Sequence, residues 1–324
     1  MTPLKIGIFG TGAVGGYYGG ILASEGHDVR FVARAELAKV LNASGLRIES
    51  KQWQRAIGPE RLQASADPSL LADLDGVLLC VKSDDTESSA RAMRDVLAPH
   101  CWVMSLQNGV DNAARAQAVL QRPVIPAVVY VATAMPEPGL IRHYGRGDLV
   151  IGKPLDETFG RVSDEVLHEI ATRFSESGVP VVVSANVHQA LWSKLLVNCV
   201  FNPISALAQV NYGTLSSQPE TQGVMQAVVE EVIQVARASG TMLERDAMRV
   251  ACDQITTGMA GQKSSTAQDL ARHKRTEIDH LNGFIVREGA RLGVPTPVNA
   301  TLYAMIKLME FSLVPRTGVE PARP

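Results

Sequence analysis

The spacing of apolar residues changes near residue 186. Before it, short apolar runs alternate with helix-like stretches. "LKIGIFG" (Leu4 to Gly10) is rich in isoleucine and fits a central parallel strand. A glycine turn follows, then "AVGGYYGGILASEG", a helix expected to end at Gly26. "HDVRFVAR" (His27 to Arg34), "LDGVLLCVKS" (Leu74 to Ser83) and "CWVMSLQNG" (Cys101 to Gly109) read as further strands. Strands alternating with helices predict βαβ units and a parallel sheet. From Val124 to Gly152 the pattern shifts: "GLIRHYGRGDLVIG" predicts a hairpin turning near Gly145–Gly147, so that side of the sheet becomes mixed. "VPVVVS" (Val179 to Ser184) is the last strand signal. Beyond Asn186 the period becomes helical, with runs from Val187, from Pro219 to Gly240, and from Glu244, Thr276 and Pro297. The expected organisation is an α/β domain over 1–186, an all-α domain over 187–314, and a tail over 315–324. That tail, "PRTGVEPARP", carries prolines, a glycine and mixed charge and reads as disordered.

Within the first helical run, "LWSKLLVNCVFNP" (Leu191 to Pro203) combines core residues with polar ones. Leu191, Trp192, Leu195, Leu196, Val197, Val200 and Phe201 suit a buried helix. Lys194, Asn198 and Asn202 recur at every fourth position, and at about 100° per residue they span about 80° of arc on one face. A lone lysine there would snorkel, with its stem in the core and its ammonium in water. Two amides beside it need partners or a cavity. A hydride-acceptor carbonyl becomes an alkoxide in its transition state, so an ammonium can stabilise that charge and deliver the proton while amides hold the substrate.

Composition narrows the partners. The chain has 324 residues, with 31 basic against 33 acidic and a formal net charge of −2, which gives no electrostatic reason to expect nucleic acid or an anionic membrane. Cys80, Cys101, Cys199 and Cys252 form no CxxC pair and read as reduced thiols, pointing to a reducing cytoplasm; no metal-ligand cluster stands out. No signal peptide is visible. The longest apolar stretch, "VIPAVVYVATAM" from Val124, is interrupted by Pro126 and suits a buried strand better than a membrane span. The expected partner is a small molecule, with a second copy of the chain in a homodimer left open.

"GIFGTGAVGG" contains Gly10-x-Gly12-x-x-Gly15 directly after a strand and opening a helix, the Rossmann pattern for a dinucleotide. Gly10 permits the turn, Gly12 lets backbone approach a pyrophosphate, and Gly15 lets the helix pack on the strand; Thr11, Ala13 and Val14 complete the cradle. The second strand ends in Arg34 rather than an acid. A carboxylate would repel a 2′-phosphate and a guanidinium grips it, so NADP(H) is favoured over NAD, unless Glu36 does the reading. Lys82 and Asn108 follow the next two strands at the carboxyl edge of the sheet, where ligands of such folds bind; either could be a turn residue only. In the helical half, Glu277 in "RTEIDHLNGF" is a carboxylate candidate, although an acid in a helix's first turn also complements the macrodipole. Ser264-Ser265 in "SSTAQDL" reads on its own as a helix N-cap.

"GIFGTGAVGG", "RFVAR", "LLCVKS", "SLQNGV", "LWSKLLVNCVFNP", "SSTAQDL" and "RTEIDHLNGF" stand in the order found in ketopantoate reductases, a family this chain resembles from Lys5 to about Glu310. The resemblance implies a Rossmann domain, an all-α C-terminal domain, and NADPH-dependent reduction of 2-dehydropantoate to (R)-pantoate for pantothenate and coenzyme A synthesis. It implies Lys194 as general acid, and Glu277 as the acid that helps bind substrate and organise the site. It places Asn108 between nicotinamide and substrate, makes Asn198 and Asn202 substrate-binding amides, and puts Ser265, with Ser264 beside it, near the substrate carboxylate. Arg34 matches the 2′-phosphate arginine and Lys82 the cofactor-side lysine. The chain departs from some members at "VNYGTL", where Tyr212 replaces an asparagine and Asn211 stands one earlier, so the exact 2-keto acid stays open. A β-hydroxyacid-type dehydrogenase shares a Lys-x-x-x-Asn pair, but "SSTAQDL" with "TEIDHLNG" argues against it. A non-catalytic NADP(H) sensor would leave the stripe unexplained.

Overall fold

The computed structural model describes residues 2–313, so the tail expected from Pro315 lies outside the described residues. Two compact units are present, Met1–Leu191 and Trp192–Pro324.

The first unit is built on a mixed sheet. Its strands are β1 (Lys5–Phe9), β2 (Asp28–Val32), β3 (Leu46–Ser50), β4 (Gln54–Ile57), β5 (Gln63–Ser65), β6 (Gly76–Leu79), β7 (Trp102–Ser105), β8 (Val124–Glu137), β9 (Leu140–Ile151) and β10 (Val181–Val183). Helices α1 (Ala13–Ser24), α2 (Ala35–Ser44), α3 (Thr86–Arg94), α4 (Asn112–Leu120) and α5 (Asp164–Glu176) connect them. The order β5-β2-β1-β6-β7-β8 is parallel throughout, the Rossmann arrangement expected from the alternating runs. Side-chain alternation divides its core. Ile6, Ile8, Phe31, Leu78 and Met104 enter one cluster, whereas Phe9, Val32, Leu79 and Val103 enter another. Both faces are therefore covered, which explains the near-continuous apolar strands.

Two features differ from the sequence expectation. Strands β3, β4 and β5 carry too many charged and polar residues to stand out as strands; in β3, Leu46 and Ile48 are buried while Arg47 is exposed. The hairpin also turns elsewhere. Glu137 pairs with Leu140, so β8 and β9 turn at Pro138–Gly139, where Gly139 has φ +80°. Gly145–Gly147 instead form an irregularity inside β9: Ala132 faces Gly145, Val131 faces Arg146, and Tyr130 faces Asp148. Arg146 takes a left-handed φ of +59° there. Two glycines around a charged residue mimic a turn in sequence, but β8 is long enough to carry its partner past them.

The second unit is helical. Helix α6 (Val187–Ala208) begins in the first unit and belongs to the second from Trp192. It is followed by α7 (Tyr212–Ser216), α8 (Pro219–Ala238), α9 (Arg245–Gly258), α10 (Ser265–Ala271), α11 (Asn282–Leu292) and α12 (Pro297–Leu313). The helix expected from Thr276 is broken: a single 3-10 turn, Ile278–His280, precedes α11. Leu281 separates them with φ −110° and ψ −105°, outside the helical region. The expectation that the stretch from Val124 is the longest apolar candidate for a membrane span is also corrected. Helix α6, at 22 residues, is long and apolar enough by length and composition, but 61% of its 18-residue window of mean hydropathy 1.2 is buried inside the fold, as in a core helix. Its Lys194 interrupts the apolar run.

Gly145 and Gly147 give a direct test of the β9 irregularity. Both have φ near +150°, but a Cβ on Gly147 would lie 2.4 Å from Tyr17 Oη, whereas one on Gly145 meets nothing within 4 Å. Gly147→Ala is expected to cost about 1–3 kcal/mol more than Gly145→Ala in urea unfolding; equal losses would mean that Tyr17 does not press on this strand.

Candidate active site

In the first unit, the glycines divide the work as their spacing suggests. Gly10 has φ +98°, and a Cβ there would lie 2.6 Å from the Val81 nitrogen. Gly15 lets α1 approach β1: a Cβ would lie 2.4 Å from the Gly10 carbonyl and 2.8 Å from Ile8 Cγ2. Gly12 is different, since nothing lies within 4 Å of a Cβ placed on it. It is the N-cap of α1, makes no side-chain capping bond, and is followed by no acid in the first turn. The amides of Ala13, Val14 and Gly15 thus open an uncapped helix N-terminus beside a space kept clear of side chains, which fits a pyrophosphate. The Thr11 hydroxyl donates to the Val32 carbonyl at 3.1 Å, as does the Gly10 amide, so Thr11 ties the turn to the end of β2.

Arg34 is exposed immediately after β2, at the N-cap of α2. Glu36, the competing reader of the ribose, is paired with Lys39 at 2.9 Å. The residues present therefore fit a dinucleotide carrying an extra phosphate. Lys82 stands exposed at the end of the β6 segment, as N-cap of a 3-10 turn.

Asn108 is held by a polar network that the sequence reading missed. Its carbonyl accepts from Ser83 Oγ at 3.2 Å and from Asn112 Nδ2. Asn112 is buried and uses its whole amide: Nδ2 also donates to Ser83 Oγ at 2.9 Å, while Oδ1 accepts from Thr86 Oγ1 at 3.0 Å and Arg115 at 3.1 Å. Gln107 donates to Thr86 at 2.7 Å, and Arg115 forms a two-pronged pair with Glu87, both contacts at 2.7 Å. This network joins the Lys82–Ser83 and Asn108–Gly109 loops. Its one sequence signal was polar residues clustering just after two apolar strands.

In the second unit, Lys194, Asn198 and Asn202 lie on α6; the first two are half-buried and Asn202 is 3% exposed. Ser264 is fully buried and is the N-cap of α10, accepting from the Ala267 amide at 3.0 Å and donating to the Asn202 carbonyl at 3.1 Å. The N-cap reading of Ser264 is thus what the fold uses, and it fixes α10 to the helix bearing the stripe. Ser265, the first residue of α10, is exposed.

Glu277 is the N-cap residue of the 3-10 turn, and both neighbours are anchored. The Thr276 amide and hydroxyl donate to Glu310 Oε1 at 2.8 and 2.6 Å, and the Ile278 amide donates to Thr276 Oγ1 at 3.1 Å. Asp279 accepts from Tyr303 at 2.6 Å and Lys307 at 2.7 Å. Burial alone would raise the Asp279 pKa, but the bonds from Lys307 and Tyr303 outweigh it and hold the carboxyl below its usual value. Asn211 spends its side chain capping α7, through the Thr214 amide at 2.8 Å. Tyr212 is buried edge-on against Phe201, with ring centroids 5.4 Å apart, and its hydroxyl pKa is pushed up to about 12 by burial. Among the described residues no group of three or more His, Cys, Asp or Glu could hold a metal ion. The cysteines are free thiols; burial raises the pKa of Cys101 to about 12 and of Cys252 to about 11.

The family model described as Ketopantoate reductase PanE/ApbA matches residues 6–155, and its C-terminal counterpart matches residues 186–310. A 2-dehydropantoate 2-reductase of Halobacterium salinarum is 33% identical over 316 residues, covering 95% of this chain and 99% of that protein. A solved PanE/ApbA family ketopantoate reductase from Ralstonia eutropha JMP134 is 46% identical with a TM-score of 0.87, covering 96% of this chain and 99% of that one. A D-mandelate dehydrogenase solved with NADH and anilino(oxo)acetate, at 24% identity and TM-score 0.87, shares the fold.

Two measurements test this geometry. Gly12→Val should leave urea stability within about 0.5 kcal/mol, because its side chain meets open space, yet weaken NADPH binding by at least about 30-fold in a fluorescence titration. Normal binding would remove Gly12 from the phosphate cradle. The second concerns Asp279. A carboxyl whose folded pKa lies below its unfolded value stabilises the fold above the unfolded pKa and loses that contribution as pH falls through the folded one. The stability gap between the native chain and Asp279→Asn should be full at neutral pH and shrink below about pH 4. A gap unchanged down to about pH 2 would show that the Lys307–Asp279 clamp contributes nothing through ionisation.

Proposed function

The chain belongs to the ketopantoate reductase family, and on that premise we propose that it reduces 2-dehydropantoate to (R)-pantoate with NADPH, in pantothenate and coenzyme A synthesis. The observation that carries the reading is the Lys194–Asn198–Asn202 face of α6, in a chain whose other unit opens an uncapped helix at Gly12. The reading assigns the cofactor to the domain that ends near residue 186 and the substrate to the helical domain that follows it. A reducing cytoplasm suits both the cofactor and four unpaired thiols.

When bound, NADPH would supply a hydride for reduction of the C2 carbonyl. The amides at the start of α1 would bind the pyrophosphate, Arg34 would take the 2′-phosphate, and Lys82 would add a cation on the cofactor side. Asn108, its backbone fixed from two loops, orients the reacting groups. The Lys194 ammonium would stabilise charge developing on the carbonyl oxygen and give its proton to the alkoxide; solvent restores that proton. Asn198 and Asn202 donate to the substrate, Ser265 faces its carboxylate, and Glu277 aligns substrate and lysine. Ser264 acts by holding the Asn202 backbone.

One observation favours a second reading, reduction of a different branched 2-keto acid. Asn211 is spent as a cap and Tyr212 is packed on Phe201, so the loop after α6 brings an aromatic ring where some relatives have an amide.

A single set of assays separates these readings. NADPH oxidation is expected to be fastest with ketopantoate among ketopantoate, ketoisovalerate, ketoisocaproate and benzoylformate. Lys194→Ala should lower kcat by about 10²–10⁴ with NADPH affinity held within about twofold. Near-normal turnover at saturating substrate would end the proton-donor role. Equal rates with all four acids would move the activity to another 2-keto acid.

A further inference from the structure

Helix α6 contains Pro203, between Asn202 and Ile204. Proline has no amide hydrogen, so the carbonyl four residues earlier, Cys199, loses its donor within the helix. That carbonyl belongs to a fully buried residue, where an unpaired oxygen is costly and water cannot replace the bond. The defect lies between Asn198 and Asn202, inside the polar stripe.

The missing donor comes from another helix. Asn282, fully buried at the start of α11, donates from Nδ2 to the Cys199 carbonyl at 3.0 Å. The same Nδ2 donates to Asn299 Oδ1 at 2.9 Å, and Asn299 Nδ2 donates to Glu231 at 2.8 Å. Glu231 in turn accepts the Val298 amide at 2.8 Å and the Asn299 amide at 2.9 Å, which caps the start of α12. A chain of bonds from α8 through α12 and α11 therefore ends on the one carbonyl of α6 that Pro203 deprives. Gly283 allows α11 to approach α12, since a Cβ there would lie 2.9 Å from the Tyr303 ring. Asn282 Oδ1 is buried without a hydrogen-bond partner, so the side chain is oriented by its two donated bonds alone.

We infer that Asn282 is a positioning residue for the substrate-binding face of α6: it replaces the hydrogen bond lost at Pro203 and so fixes the angle between the Asn198 and Asn202 amides. Fully buried, with its donated bonds spent on Cys199 and Asn299, it acts through the backbone of α6. The inference rests on the proposed reading that these amides hold the keto acid.

The decisive test is whether restoring the backbone donor makes Asn282 dispensable. Asn282→Leu removes the donors and the orphan oxygen while filling the same space, and Asn282→Ala provides a second variant should either fold poorly. Each is expected to raise KM for the keto acid about tenfold or more, with NADPH affinity unchanged, since the cofactor groups lie in the first unit. Pro203→Ala returns an N–H to the Cys199 carbonyl. The double variant Pro203→Ala with Asn282→Leu should therefore recover to within about threefold of Pro203→Ala alone. A substitution that lowers Tm but leaves KM unmoved, or a loss that Pro203→Ala does not relieve, overturns the inference. Asn198→Ala is measured alongside. If it raises KM and Asn282→Leu does not, only the positioning role fails; if it leaves KM unmoved, the substrate assignment fails and takes this inference with it.

Discussion

The carbonyl of a buried residue must find a hydrogen, and much of the second unit is arranged around one that cannot find it within its own helix. Pro203 sits inside α6, directly after Asn202 of the polar face. Repair comes from side chains on α11, α12 and α8, so these helices are held in register by the demands of one proline. The first unit obeys the same constraint differently. There the Asn108 carbonyl is shared by Ser83 and Asn112, and the loops after two neighbouring strands become one rigid edge. In both units the candidate site residues occupy backbone that other polar groups have fixed. Side chains that touch a ligand gain little from rigidity of their own; it is supplied from behind.

Much of the fold was legible because the parallel strands are buried on both faces and leave unbroken apolar runs. What failed to show was the part of the sheet with one wet face. β3, β4 and β5 bury alternate residues only, so their polar positions read as loop. The hairpin was displaced for a related reason: Gly145 and Gly147 advertise a turn, whereas Pro138–Gly139 makes it. Local turn chemistry is ambiguous when an irregular strand and a hairpin both require positive φ.

The candidate site divides along similar lines. Lys194, Asn198 and Asn202 were visible as polar residues out of place on an apolar helix, and the glycine turn by its spacing. Glu277 was weak in sequence because its local role, beginning a turn, is commonplace. Asn282, Asn112 and Glu310 could not be weighed without coordinates, for their partners lie far away in the chain: Asn282 answers Cys199, and Glu310 answers Thr276. A buried amide's meaning is set by what faces it, and periodicity reports only that it is inside.

Strand β9 has a consequence for how the chain is made. Its first residues pair with β3, Ile48 beside Ile141, and its last pair with β10, Leu149 beside Val181. As the chain emerges from the ribosome, the β3–β4 hairpin is complete long before β9 exists. Its inner edge, with Leu46 and Ile48, then stands as an open ladder of backbone donors and acceptors. The Rossmann strands β1, β2, β5, β6 and β7 can assemble in the order of synthesis, but closure of this flank waits for the late hairpin. Arg47 and Glu49, which helped to hide β3 from a reading of the sequence, flank that temporarily unpaired edge, and charge beside an open edge disfavours pairing with another copy.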